Sequence, residues 1–62
     1  DGEVTVADGR LSLSFMRDKH VQVFALDGKR IYAATAATAT IALRAGIYVL
    51  DIDGKKEKIT VK

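Results

Sequence analysis

His20 is the only histidine in the chain and there is no cysteine, so nucleophilic and metal chemistry would have to be built around one imidazole. A zinc site needs several converging nitrogen or sulfur ligands, and here only carboxylates could join His20. The same shortage leaves no Ser-His-Asp or Cys-His set to assemble, so the chain reads as a non-enzyme with no cofactor and no small-molecule substrate. His20 is read instead as a solvated residue entering a strand. The remaining candidates act by docking. Lys55, Lys56, Lys58 and Lys62 form a solvated face. On a terminal edge strand they could also set the register of a partner sheet that takes up its backbone hydrogen bonds. Tyr48 reads as a core or rim aromatic with its hydroxyl bonded near a corner. Gly28 and Gly54 are accounted for by the positive φ of hairpin turns.

The elements that would carry these residues are bounded by length and composition. A chain of 62 residues is one domain, residues 1–62, and buries only about 60% of the surface its unfolded form exposes. It must be held by packing and a β ladder, without disulfide staples. A formal charge of +2 with interspersed signs is not the dense basic stripe of a nucleic-acid surface. Phe15, Phe24, Tyr32 and Tyr48 have the spacing of core aromatics. No apolar run approaches the ~20 residues of a membrane span and no leader is visible, so the chain reads as a non-spanning monomeric piece of a longer polypeptide.

Taken in order, Val4 and Val6 alternate within residues 3–7, and Leu11, Leu13 and Phe15 alternate with Ser12 and Ser14 within residues 10–15. Met16 to His20 is a charged break. Residues 21–26 are apolar on both sides of the alternation, as in a strand at the middle of a sheet. Residues 29–33 return after Asp27-Gly28, residues 34–37 read as a loop, and residues 38–43 as a strand. Gly46 opens the long run Ile47 to Ile52, Asp53-Gly54 turns it, and residues 58–62 alternate again, with Ile59 and Val61 inward. Gly46 is expected to be a constrained turn position and Gly2 a fraying terminal residue. The count is about seven short strands in a small antiparallel β-sandwich. Proline is absent, and the lysines of the last strand would protect its edge.

Val21-Gln-Val-Phe-Ala-Leu-Asp-Gly-Lys-Arg-Ile31, Leu43-Arg-Ala-Gly-Ile-Tyr-Val-Leu50 and Lys58-Ile-Thr-Val-Lys62 together resemble the carboxyl-terminal sorting domains of the type IX secretion system of Bacteroidetes. The resemblance covers about residues 20 to 62. It implies an immunoglobulin-like β-sandwich at the end of an exported protein, read by the outer-membrane secretion machinery. It also implies passage through the periplasm to the outer-membrane surface or the medium. The residues matching the family motifs, and so the expected docking positions, are Gly28, Lys29, Gly46, Tyr48, Lys58 and Lys62. The Asn-Pro element common near the family's start is missing. The alternative is a generic immunoglobulin-like adhesion, carbohydrate- or protein-binding module, for which Tyr32 is the candidate exposed aromatic.

Overall fold

The computed structural model describes residues 2–62, which form five β-strands and no helix. They are β1 (Gly2–Ala7), β2 (Arg10–Ala25), β3 (Arg30–Ala42), β4 (Gly46–Ile52) and β5 (Lys55–Val61). All pairings are antiparallel. The class expected from the alternating runs is therefore observed, but the seven-strand sandwich is not. The architecture is a single curled sheet, a half-barrel, ordered β1-β2-β4-β5 with β3 on the other side of β2.

Two mergers reduce seven expected strands to five. β2 runs unbroken through Met16 to His20, the segment read as a break, because the chain bulges there without leaving the ladder. Ser14 pairs with Thr38 and Lys19 with Ala36, so Phe15 to Asp18 stand opposite Ala37 alone. A bulge of this size bends a strand sharply, and the charged residues it exposes were the reason the segment resembled a loop. Residues 34–37 are not a loop either. Along β3, inward and outward positions alternate until Ala36 and Ala37, which are both partly buried, and then alternate again to Ile41. Alanine fits either face, so a one-residue skip costs little there.

β2 is the hub. Its first half pairs with β1, from Ala7↔Arg10 to Gly2↔Phe15, and its second half pairs with β4, from Val21↔Ile52 to Ala25↔Tyr48. β3 follows its other edge almost from end to end. The bulge lets the two halves of β2 face across one interior. Leu11, Leu13, Val21, Val23, Ile41 and Leu50 meet there, with Phe15, Tyr32, Leu43, Tyr48 and Ile59 packed around them. Each fully buried aliphatic stabilises by about 1.5 to 3 kcal/mol relative to exposure. The alternation expected for Leu11, Leu13 and Phe15 holds, and Val61 is buried with Ile59 half-buried. Val4 and Val6 lie opposite Leu13 and Leu11 but stay 39% and 36% exposed. Val6 lines the hollow between β1 and β5, with Thr60 and Lys62 across from it.

The hairpin turns follow their Asp-Gly pairs in two ways. Asp8 and Gly9 (φ 54° and 71°) and Asp53 and Gly54 (φ 52° and 88°) form two-residue loops with positive φ at both positions, the twist that matches flanking strands. At Asp27-Gly28 the loop takes three residues, Leu26 to Gly28. The Gly28 N–H donates to the Ala25 carbonyl, the Ala25 N–H donates to the Lys29 carbonyl, and Asp27 Oδ1 accepts the Lys29 N–H at 3.0 Å. Leu26, expected within the strand, is thereby 62% exposed in the turn.

Gly2 does not behave as a fraying end. It is paired with Phe15, and a Cβ built on it would run into the Phe15 ring and stand 3.2 Å from the Ser14 carbonyl oxygen. An aromatic ring lying over a cross-strand edge glycine is a known way to pin register. Gly46 is constrained as expected, through its backbone: its φ of 157° is one that side-chain-bearing residues rarely adopt, although a Cβ would stand 3.7 Å from the Tyr48 ring. The tighter steric constraint is thus at Gly2.

Candidate docking surface

The three stretches holding Gly28, Lys29, Gly46, Tyr48, Lys58 and Lys62 are separated in sequence, and the register of β2, β4 and β5 brings them to one end of the sheet. Ala25 pairs with Tyr48, Tyr48 pairs with Ile59, and Gly46 pairs with Val61. The turn with Gly28 and Lys29 follows directly on Ala25, and Lys58 and Lys62 bracket the last inward pair of β5. Period two decides which of these face water: Ile59 and Val61 turn inward, while Lys58, Thr60 and Lys62 are exposed. The Tyr48 hydroxyl donates to the Arg44 carbonyl at 2.7 Å, pinning the three-residue link between β3 and β4. Its ring is half-buried, so Tyr48 acts as a brace with little surface to offer a partner.

His20 lies at the opposite side of the bulge from Ser14. Its ring Nδ1 is 2.9 Å from the Thr35 hydroxyl on the neighbouring strand. Asp53 approaches His20 through the backbone and leaves the imidazole alone: Asp53 Oδ1 accepts the His20 N–H at 2.8 Å and the Asp53 N–H donates to the His20 carbonyl at 2.8 Å. A carboxylate bound to the backbone of the histidine cannot orient its ring as a catalytic base requires. Among the described residues no three His, Asp or Glu side chains converge on a metal position. No helix among them is long and apolar enough to cross a membrane.

The same corner holds Lys19, whose ammonium is 3.8 Å from Asp53 Oδ2 and 5.9 Å from the Phe15 ring centroid. Beside it is an open concavity of about 590 Å³ lined by Lys19, Asp53, Lys55, Lys56 and Glu57 over Leu50 and Ile52. It sits at the β4–β5 turn, the far end of β4 from the motif residues. Its mixed signs favour neither an anion nor a cation. Of the six motif residues, Lys62 lines the smaller hollow between β1 and β5, with Thr60 and residues Val6 to Gly9.

Two features escaped the sequence reading. The first is the Asp53 clasp, which joins residues 33 positions apart and has no local signature. The second is an apolar strip on the outer face of β2 and β4. Phe24 stands directly opposite Val49, both half-buried, and Ile47 two residues along β4 is 43% exposed. Ile31, on the strand flanking the other side of β2, is 41% exposed. The signal for it was present, since residues 21–26 and 47–52 are apolar on both faces. Tyr32, the candidate exposed aromatic, instead packs against the core.

No family model matches the chain, and no curated protein is significantly similar to it.

Proposed function

We propose that the chain is a non-catalytic docking module, and that its role is the one its motifs resemble: an address for export, read by outer-membrane secretion machinery, that takes a protein through the periplasm to the cell surface or the medium. One observation supports the reading above the others. Three separated motif stretches converge at one end of the sheet, with Lys58 exposed on β5 and Lys62 exposed just after it, and β5 is hydrogen-bonded on one side only among the described residues. A strand of that kind can complete the fold with its inward residues and present its outward lysines and free backbone edge to a partner sheet. The expected immunoglobulin-like sandwich is a further element of the resemblance. The reading does not depend on it, because recognition is carried by side chains more than by strand count. A carbohydrate-binding module is less well supported, since it needs aromatic faces open to solvent and Tyr32 is turned to the core.

The test fuses the domain to the end of a periplasmic reporter in a Bacteroidetes host with type IX secretion. The expected result is delivery to the surface or medium that falls when Lys58 and Lys62 are both replaced by serine, in a fusion shown to be folded. A reporter that stays in the periplasm with every folded variant removes the export reading.

A further inference from the structure

The strip of Phe24, Val49, Ile47 and Ile31 lies open on the outer face, although the interior is already filled by residues of the opposite parity. Solvent-facing strands normally carry polar residues there, and clustered apolar side chains with a polar rim mark contact surfaces. Cations outnumber acids on the rim here. Lys58 stands opposite Val49, Lys56 opposite Asp51, and the Arg30 guanidinium bonds Gln22 Oε1 beside the strip. Two acids lie nearby, each held by a backbone N–H: Asp51 is 6% exposed and its Oδ1 accepts the Gly54 N–H at 2.8 Å, while Asp27, at an exposed position, accepts the Lys29 N–H through Oδ1. Among the described residues the ion pair is Lys19–Asp53, and Arg30, Lys56 and Lys58 have no carboxylate partner.

From this arrangement we infer that the outer face of β2, β4 and β5 binds an acidic polypeptide whose carboxylates flank apolar side chains. The inference rests on the docking-module reading and adds the place and the chemistry of the partner. Charge complementarity selects the occupant. A second copy docked face to face about a two-fold axis would bring two predominantly basic rims together, which disfavours it. An anionic bilayer would satisfy the cations, but it is gripped by apolar side chains that protrude 5 to 10 Å into the headgroup region. Phe24 and Val49 lie half-buried within the sheet surface. An acidic polypeptide can lie flat on such a face, cover the strip and pair its carboxylates with the rim.

The folded chain, immobilised, is used to select from a random-peptide display library, with elution by free chain. Selected peptides should be enriched in Asp and Glu together with apolar residues, relative to the input. They should bind a Lys56→Glu, Lys58→Glu variant at least about tenfold more weakly, and Ile47→Thr should weaken them independently. All three substitutions are at exposed positions, and far-ultraviolet circular dichroism checks that the variants keep the β fold. Failure to select, peptides without an acidic excess, or acidic peptides indifferent to both variants would each overturn the inference. So would sedimentation with phosphatidylserine vesicles in the absence of peptide binding, which would assign the face to a membrane. The outcome is separable from the export test. A periplasmic reporter with successful selection removes the address and leaves the surface, and the converse result removes the surface.

Discussion

Replacing Asp53 by alanine should loosen the corner where β2 bends, and the loss can be divided among its causes. Asp53 does three things at once. It occupies φ 52°, its Oδ1 accepts the His20 N–H at 2.8 Å, and its Oδ2 lies 3.8 Å from Lys19. Alanine in a left-handed conformation costs about 1 kcal/mol or more, and loss of the side-chain acceptor costs about 1 kcal/mol. The ion pair contributes at most about 0.5 kcal/mol, because the Asp53 side chain is 44% exposed. The sum is a destabilisation of about 2 kcal/mol. With a urea dependence near ~1 kcal/mol/M for so small a domain, the midpoint should fall by about 2 M. Asp53→Asn keeps the acceptor and tolerates the positive φ, so it should stay within about 0.5 kcal/mol of wild type. Asp53→Gly relieves the backbone cost and leaves the loss of the hydrogen bond together with the ion pair, about 1 to 1.5 kcal/mol. Equilibrium unfolding followed by circular dichroism, with matched slopes, measures all three. If asparagine proves as damaging as alanine, the charge is what matters and the clasp has been misread. If alanine is silent, the corner is held by the ladder alone.

Further variants separate the two faces of β5 and test the terminal pairing. Ile59→Ser should destabilise by about 2 kcal/mol or more because it removes half-buried packing from the interior, while Lys58→Ser and Lys62→Ser should each stay within about 0.5 kcal/mol; urea midpoints report the contrast. Gly2→Val should displace the Phe15 ring and destabilise by about 1 to 3 kcal/mol, seen as a lowered midpoint together with changed Phe15 ring resonances in NMR spectra. An unchanged ring environment in that variant would show that the Gly2↔Phe15 pairing does not hold in solution.

What the sequence made legible was whatever is decided within a few residues. The Asp-Gly turns at 8–9 and 53–54 require positive φ and occur as read, and the period-two runs place Leu11, Leu13, Ile59 and Val61 inward. The exposure of Lys58 and Lys62 follows from the same period. The skip in the alternation of β3 was nearly invisible, since alanine at 36 and 37 carries no preference for either face. Its one trace is the spacing of the outward threonines, three residues from Thr35 to Thr38 and then two to Thr40. The bend in β2 was mistaken for a break because Arg17, Asp18 and Lys19 signal solvent, and a bulge exposes side chains as fully as a loop does. The convergence of the motif residues depends on the pairing of Ala25 with Tyr48. That pairing is set by global curvature, and no local pattern encodes it.

The pairing of β2 with β4 also sets an order of events. β1–β2, β2–β3 and β4–β5 are hairpins between neighbours in the chain, and β2–β4 is the pairing that skips an element. Hairpins close in about 1 to 10 μs, whereas docking β4 onto β2 must first close the longer loop that contains β3. The sheet is therefore joined across its non-neighbouring strands by one closure, Val21 to Ala25 meeting Tyr48 to Ile52. The end of the sheet that gathers Gly28, Gly46, Tyr48 and Lys58 comes into being in that step and not before. A partner reading those residues together would be reading the completion of folding, and a chain still caught as separate hairpins would not present them.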